Sequence, residues 1–265
     1  MNLTKVDYLI RNGVAVITMN HPASLNVLDE AMQKDIIRCF ASAEFDPSVK
    51  AVILQAEGQT FSGGGDIKGI IGELEKPAGK YSVLEEGLTW PGQIARQIRS
   101  IRKPVIAGIN GAAAGAAANL ALWCDFRIAS DDAVIIEAFI KIGLVTDGGG
   151  VYILSKLIGA AKAADLVMSG RSVKAQEALA LGLVNEVVPK DQLREKTFAF
   201  AEKFASGPAL AYGHMKALIN QSAFADMSSC LETEALYQSK CVHSYDCMEG
   251  MKAFVEKRAA KFKGR

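Results

Sequence analysis

The chain has 265 residues, half of them hydrophobic and 22% charged, enough length and apolar content for a well-buried core. A formal net charge of +1 gives no electrostatic case for nucleic acid or a membrane surface, and no apolar run reaches the roughly 20 residues of a membrane span. Five cysteines without a Cys-x-x-Cys pair, and scattered His21, His214 and His243, argue against a disulfide framework and a metal site; with no secretory-type apolar core near Met1, they point to the reducing cytoplasm.

Val6–Ile10 and Val14–Met19 flank Arg11-Asn12-Gly13, and Asn-Gly between two apolar runs predicts a hairpin. Met32, Ile36 and Phe40 form a helical stripe within Asp29–Phe40. Ala51–Leu54, Val105–Ile109 and Phe126–Ala129 are short apolar runs that read as buried strands. Ala114–Trp123, rich in alanine and leucine, reads as a buried helix. Val151–Leu157 and Ala160–Met168 follow as helices, the second stopped by Gly170, and Lys174–Leu181 ends at Gly182. From Lys196 onward the pattern is helical apart from Gly207-Pro208. The spacing predicts an α/β core over residues 1–195 and a helical region over 196–265. Ile70–Arg99, with Pro77, Gly79, Gly87 and Trp90-Pro91-Gly92, reads as an irregular stretch that either covers a pocket or is a surface excursion.

Three small-residue turns follow apolar runs: Phe61–Lys68, Ile109–Asn119 and Ile142–Gly150. Such turns let a ligand approach the backbone, and N–H groups from two of them could converge on one oxygen, helped by the N-terminus of a helix starting near Gly115. Asp147, alone in the third turn, suits a catalytic base, or alternatively a cap for the following helix. Glu137 shares a face with Phe139 in an extended segment and is the rival acid, though it reads better as a solvated or salt-bridged glutamate at a strand edge. Asp66 is expected to hold its own loop through backbone N–H groups.

The order of these segments resembles the enoyl-CoA hydratase/isomerase (crotonase) family over essentially the whole chain. Asn20-His-Pro-Ala-Ser-Leu-Asn26-Val-Leu28 resembles the family's N-x-P-x-x-x-N-x-L segment; Phe61–Lys68 and Asn110–Asn119 resemble its two oxyanion loops; Phe139–Gly150 resembles its catalytic segment and Ser244–Arg258 its C-terminal helix. The resemblance implies a crotonase-like spiral of ββα units with a C-terminal helical oligomerisation region, assembled as a homotrimer or hexamer. It implies main-chain donors at Gly65 and Ala116 for the thioester oxygen of an acyl-CoA. Gly65, Asp66, Ile67 and Lys68 would line the substrate path, and Phe254 and Lys257 would touch the CoA nucleotide. CoA arrives with the substrate, so no separate cofactor or metal is implied.

Two departures from the family pattern narrow the activity. Where family hydratases carry two glutamates, this chain has Asn119 and Phe139, neither of which can act as an acid or base. Asp147 matches the acid position of many family isomerases, and Phe139 could supply an apolar wall that raises its pKa. The expectation is an enoyl-CoA isomerase shifting a Δ3 double bond to Δ2. A hydratase, a ring-modifying isomerase, and a non-catalytic acyl-CoA-binding protein are the alternatives. Family members linked to RNA binding find no parallel in this charge pattern.

Overall fold

The computed structural model describes residues 1–76 and 82–265, the side chains of residues 82–88 excepted. β1 (Val6–Arg11) and β2 (Val14–Met19) form the expected antiparallel hairpin, with Arg11 opposite Val14 and positive φ at Asn12 and Gly13. α1 (Glu30–Phe45) starts where the Asp29 carboxylate accepts the Met32 N–H, and it buries Met32, Ile36, Cys39, Phe40 and Ala43. β3 (Ala51–Ala56) follows. α2 (Ile67–Leu74) and α3 (Ser82–Ser100) then lead to β4 (Val105–Ile109). Next come β5 (Ala112–Ala114), α4 (Ala116–Trp123), β6 (Phe126–Ser130) and β7 (Val134–Ile136). The remainder is α5 (Gly150–Ile158), α6 (Ala160–Ser169), β8 (Ser172–Lys174), α7 (Ala175–Leu181) and β9 (Glu186–Val188), then the helices α8 (Leu193–Ala205), α9 (Ala209–Ala223), α10 (Met227–Val242) and α11 (Tyr245–Val255).

One six-stranded sheet has the order β1-β2-β3-β4-β6-β9, parallel beyond the first hairpin, and a second has the order β5-β7-β8. Strand alternation sorts the core of the large sheet. Ala15, Ile17, Val52, Leu54, Val105 and Ala107 face the main core with α1 and α3. Val14, Ala51, Ile53, Ile106 and Ile128 face the other way, against Leu193 and Ala201 of α8. Both faces are thus covered, which is why β4 reads as an uninterrupted apolar run. The structure is α/β with a C-terminal helical region, as expected.

Ile70–Arg99 departs from its irregular reading. Apart from residues 77–81, which lie outside the described residues together with Pro77 and Gly79, it is helical at both ends. The helical stripe Ile94, Ile98 and Ile101, each at most 1% exposed, was masked by Trp90-Pro91-Gly92. All three of those residues are buried, so tertiary packing outweighs the missing N–H of Pro91 within α3.

Candidate active site

The first two turns are stapled to each other before they reach the cavity. Ser62 N–H donates to Ala112 O and Ala114 N–H to Ser62 O, both at 3.1 Å, a parallel bridge between the two loops. Asn26, fully buried, ties the first loop from beneath: its Nδ2 donates to Glu57 O and Thr60 O, and its own carbonyl accepts from Ser62 Oγ. Gly64, at φ 88°, passes so close to the second loop that a Cβ would sit 2.7 Å from Ala114 O. Gly115, at φ 52° and ψ −129°, makes the sharp entry into α4. Its N–H is spent on Ile136 O, whereas no protein acceptor among the described residues takes the N–H of Gly65 or Ala116. Ala116 is the first residue of a fully buried helix, where unpaired N–H groups and the positive end of the helix dipole coincide.

The third turn is held at nearly every residue. Asn119 Nδ2 donates to Asp147 O at 2.8 Å and Trp123 Nε1 to Gly148 O at 2.6 Å, both from α4. From α10, the Glu234 carboxylate accepts Thr146 Oγ1 at 2.8 Å and Gly149 N–H at 2.5 Å. The glycine run is a packing requirement. A Cβ on Gly148 would lie 3.2 Å from Pro91, on Gly149 2.8 Å from the Trp123 ring, and on Gly150 2.5 Å from Asn119 Nδ2.

A cavity of about 400 Å³ brings the three turns together, lined by Gly65, Ala116 and Asp147. Leu28 before α1, Ala31 within it, Ile70 of α2, and Trp90 and Pro91 of α3 give it a largely apolar wall; Gln33 is polar, and Asp29, Glu30, Asp66 and Glu73 add acidic groups. Asp147 is only partly enclosed, yet its Oδ1 is fully buried without a hydrogen-bond partner. It does not cap the next helix, since α5 begins after Gly149 without a side-chain cap. Desolvation, reinforced by the charge of Glu234, holds its carboxyl well above the usual aspartate range.

Two further acids stand behind it. Glu137 is 2% exposed, not solvated, and neither carboxylate oxygen has a hydrogen-bond partner. Burial, then the charges of Asp147 and Glu234, push it up to about 8, with the Asn119 amide pulling weakly the other way. The strand-edge reading of Glu137 is therefore overturned: β7 ends at Ile136, and the chain turns inward into a short 3-10 turn over Ala138–Ile142. Glu234 is pushed up to about 7 by burial, against the opposing hydrogen bonds of Gly149, Thr146 and Gly150. No signal in the sequence marked Glu234, because the fold alone brings it to a turn 85 residues away.

Of the other expected residues, Asp66 lines the cavity and accepts the Gly69 N–H at 3.1 Å, capping α2 as a loop-holding residue should. Ile67 packs on the core, and Lys68 is exposed. Phe139 is buried against Gly115, to which a Cβ would bring its ring within 3.5 Å, so its wall lies at the α4 entry and not on the cavity lining. Phe254, 61% exposed, and Lys257 lie at the end of α11, outside the lining within this one chain. Among the described residues no group of His, Cys, Asp and Glu side chains could hold a metal ion, and no helix is long and apolar enough to cross a membrane.

Similarity to known proteins runs along the full chain. The profile of the enoyl-CoA hydratase/isomerase family matches residues 9–265. The trans-2-decenoyl-[acyl-carrier-protein] isomerase of Streptococcus mutans is 32% identical, with all of both chains covered, and the 1,2-epoxyphenylacetyl-CoA isomerase of Escherichia coli is 31% identical over 97% of each. The short-chain-enoyl-CoA hydratase of Clostridium acetobutylicum is 33% identical over all of both chains. An enoyl-CoA hydratase structure from Mycobacterium avium subsp. paratuberculosis superimposes with a TM-score of 0.89 at 31% identity, covering 99% of this chain and 100% of that one. Matched by the family profile over nearly its whole length, this chain belongs to the enoyl-CoA hydratase/isomerase family.

Proposed function

We propose that the protein moves a double bond in an enoyl thioester from C3–C4 to C2–C3, with Asp147 as the single base. One observation carries this reading: Asp147 lines the cavity that Gly65 and Ala116 also line, while Asn119 and Phe139 stand where a hydratase needs acids. The Asp147 carboxylate takes a C2 proton. The C2–H electron pair moves into the C1–C2 bond, and the resulting dienolate carries its charge on the thioester oxygen. The N–H groups of Gly65 and Ala116 hold that oxygen, an arrangement in which one donor is typically worth about 3 kcal/mol of barrier. Asp147 then returns the proton to C4, the C2–C3 bond becomes double, and the carboxylate is regenerated. Its enclosure serves this cycle, since a carboxylate with a raised pKa is the stronger base once ionised.

Hydration is the second reading, and Glu137 is the observation that favours it, because it supplies another carboxylic acid near Asp147. Glu137 is sealed away from the cavity lining, however, so it is not placed to share a cavity water with Asp147. A purely binding role leaves unexplained why a buried carboxylate is kept without a partner.

The substrate in this reading is an acyl-CoA or another carrier thioester, as the names of the two isomerase relatives suggest. Lys68, Phe254 and Lys257 are assigned to the CoA portion, and no metal or redox cofactor takes part. Exposed Leu210, Met215, Leu218 and Ile219 of α9 support a homotrimer or hexamer, and the free cysteines support a cytoplasmic setting. Incubating the protein with a 3-enoyl-CoA in D₂O tests the reaction. The expected product is the 2-enoyl-CoA, with any deuterium that Asp147 takes from solvent delivered to C4; a 3-hydroxyacyl product would establish hydration instead.

A further inference from the structure

Glu234 has no part in the reaction as written, yet it is the most heavily engaged side chain around the base. It comes from α10, in the C-terminal helical region, and one carboxylate oxygen takes the Thr146 hydroxyl while the other takes the Gly149 N–H. Thr146 Oγ1 accepts in turn from Val151 N–H at 3.3 Å, which extends the contact into the first turn of α5. These bonds grip the chain on both sides of Asp147, and the Asn119 bond to Asp147 O completes the enclosure from α4. We propose that Glu234 is a positioning residue for Asp147, clamping both flanks of its turn from α10 and placing a second negative charge behind the base. This rests on Asp147 being the base, as proposed above.

The arrangement has two separable consequences. The first is mechanical. A turn containing Gly148, Gly149 and Gly150 is costly to order, and two bonds to one carboxylate fix it without needing side chains on the turn itself. The second is electrostatic. The charge of Glu234 reaches both Asp147 and Glu137, and it opposes ionisation of each. Other ionisable groups nearby are engaged elsewhere or stand further out. On α3, Arg99 pairs with Asp125 and Arg96 is exposed. On α11, Lys252 pairs with Glu75, Glu249 with Arg258, and Asp246 accepts from the backbone of Lys263 and Gly264. Asp29, Glu30, Asp66 and Glu73 line other parts of the cavity. Glu232 and Lys240 lie on exposed positions of α10 or over Tyr237.

Two variants of the full-length protein separate these effects. Glu234→Ala removes the clamp and the charge, whereas Glu234→Gln keeps an acceptor for Gly149 N–H, removes the charge and replaces the acceptor of the Thr146 hydroxyl with an N–H donor. Hydrogen–deuterium exchange without substrate reads the clamp: amides of residues 146–151 should exchange about 10-fold faster in the Ala variant, equivalent to about 1.4 kcal/mol, and less so in the Gln variant. The pH profile of isomerisation reads the charge: with Gln the acid limb of kcat/KM should move to lower pH, because Asp147 ionises more readily. In the Ala variant kcat should fall with KM nearly constant. Unchanged exchange in the turn overturns the clamp, and an unmoved acid limb overturns the electrostatic role. If the native protein interconverts no enoyl-CoA, it is the proposed reaction that fails, and the exchange result alone decides whether Glu234 positions the turn.

Discussion

The loops at Ser62–Asp66 and Thr146–Gly150 are both glycine-rich, and each contains one aspartate bordering the same cavity. Their aspartates nevertheless end in different surroundings. Asp66 sits at the start of α2, where its carboxylate accepts the Gly69 N–H. Asp147 sits three residues before the start of α5 with its Oδ1 left unpartnered, and Glu234 already occupies the turn's Thr146 hydroxyl and Gly149 N–H. Desolvated first of all, and facing the charge of Glu234, it is pushed toward its neutral form. Composition does not separate an aspartate that caps a helix from one left without a partner. What separates them is which other group has taken the local N–H donors.

The sharpest way to break this contrast is Asp147→Asn. Isomerisation should fall by about 10³-fold or more, the upper range for losing a positioned base, while the melting temperature holds or rises because a buried ionisable group is gone. Retained activity would falsify the assignment of the base. Next is Gly115→Ala. Its Cβ meets only ordinary contacts with Phe139, but φ 52° with ψ −129° suits glycine alone, so the strain falls on the backbone that aims the Ala116 N–H. A kcat loss of about 10²-fold is expected, with a stability loss of about 1–3 kcal/mol visible in chemical denaturation.

Glu137→Gln probes the buried acids through pH. Glu137 ionises near 4.5 when unfolded and at about 8 when folded, so between those values the folded state holds the extra proton. Stability must then fall as pH rises from about 4.5 to about 8. Glu234, pushed to about 7, and Asp147 act in the same direction. Melting temperatures of the native protein should decline across this window, and the decline should be shallower in the Gln variant; equal slopes would count against the burial of Glu137. The smallest effect belongs to Asp66→Asn. Asparagine caps helices about as well as aspartate, so activity should stay within about threefold and stability within about 0.5 kcal/mol. A loss comparable to that of Asp147→Asn would erase the distinction between the two loops.

Much of the architecture was legible in local pattern. The Asn12-Gly13 hairpin, the α1 stripe and the buried runs of β3 and β4 each follow from turn chemistry or periodicity that neighbouring residues carry themselves. The reading failed where tertiary packing overrode local signals. Pro91 and its neighbours disguised α3, because a helix packed on the core tolerates a break that an isolated one would not. Glu137 looked like an edge residue, because nothing in its own segment reveals that the chain turns inward after β7.

The same division runs through the site. The sequence by itself determined that one aspartate stands in the third turn, the small residues that let the loops approach one another, and the absence of glutamates at Asn119 and Phe139, all properties of residue type at fixed positions in the chain. Only the tertiary structure decided that Asn119 would anchor the Asp147 carbonyl, that Gly150 must be bare to admit that amide, and that Glu234 would arrive from α10 to hold the turn. Those outcomes depend on which donors and charges meet across dozens of intervening residues, and a carboxylate's protonation is set by such meetings and not by its place in the chain.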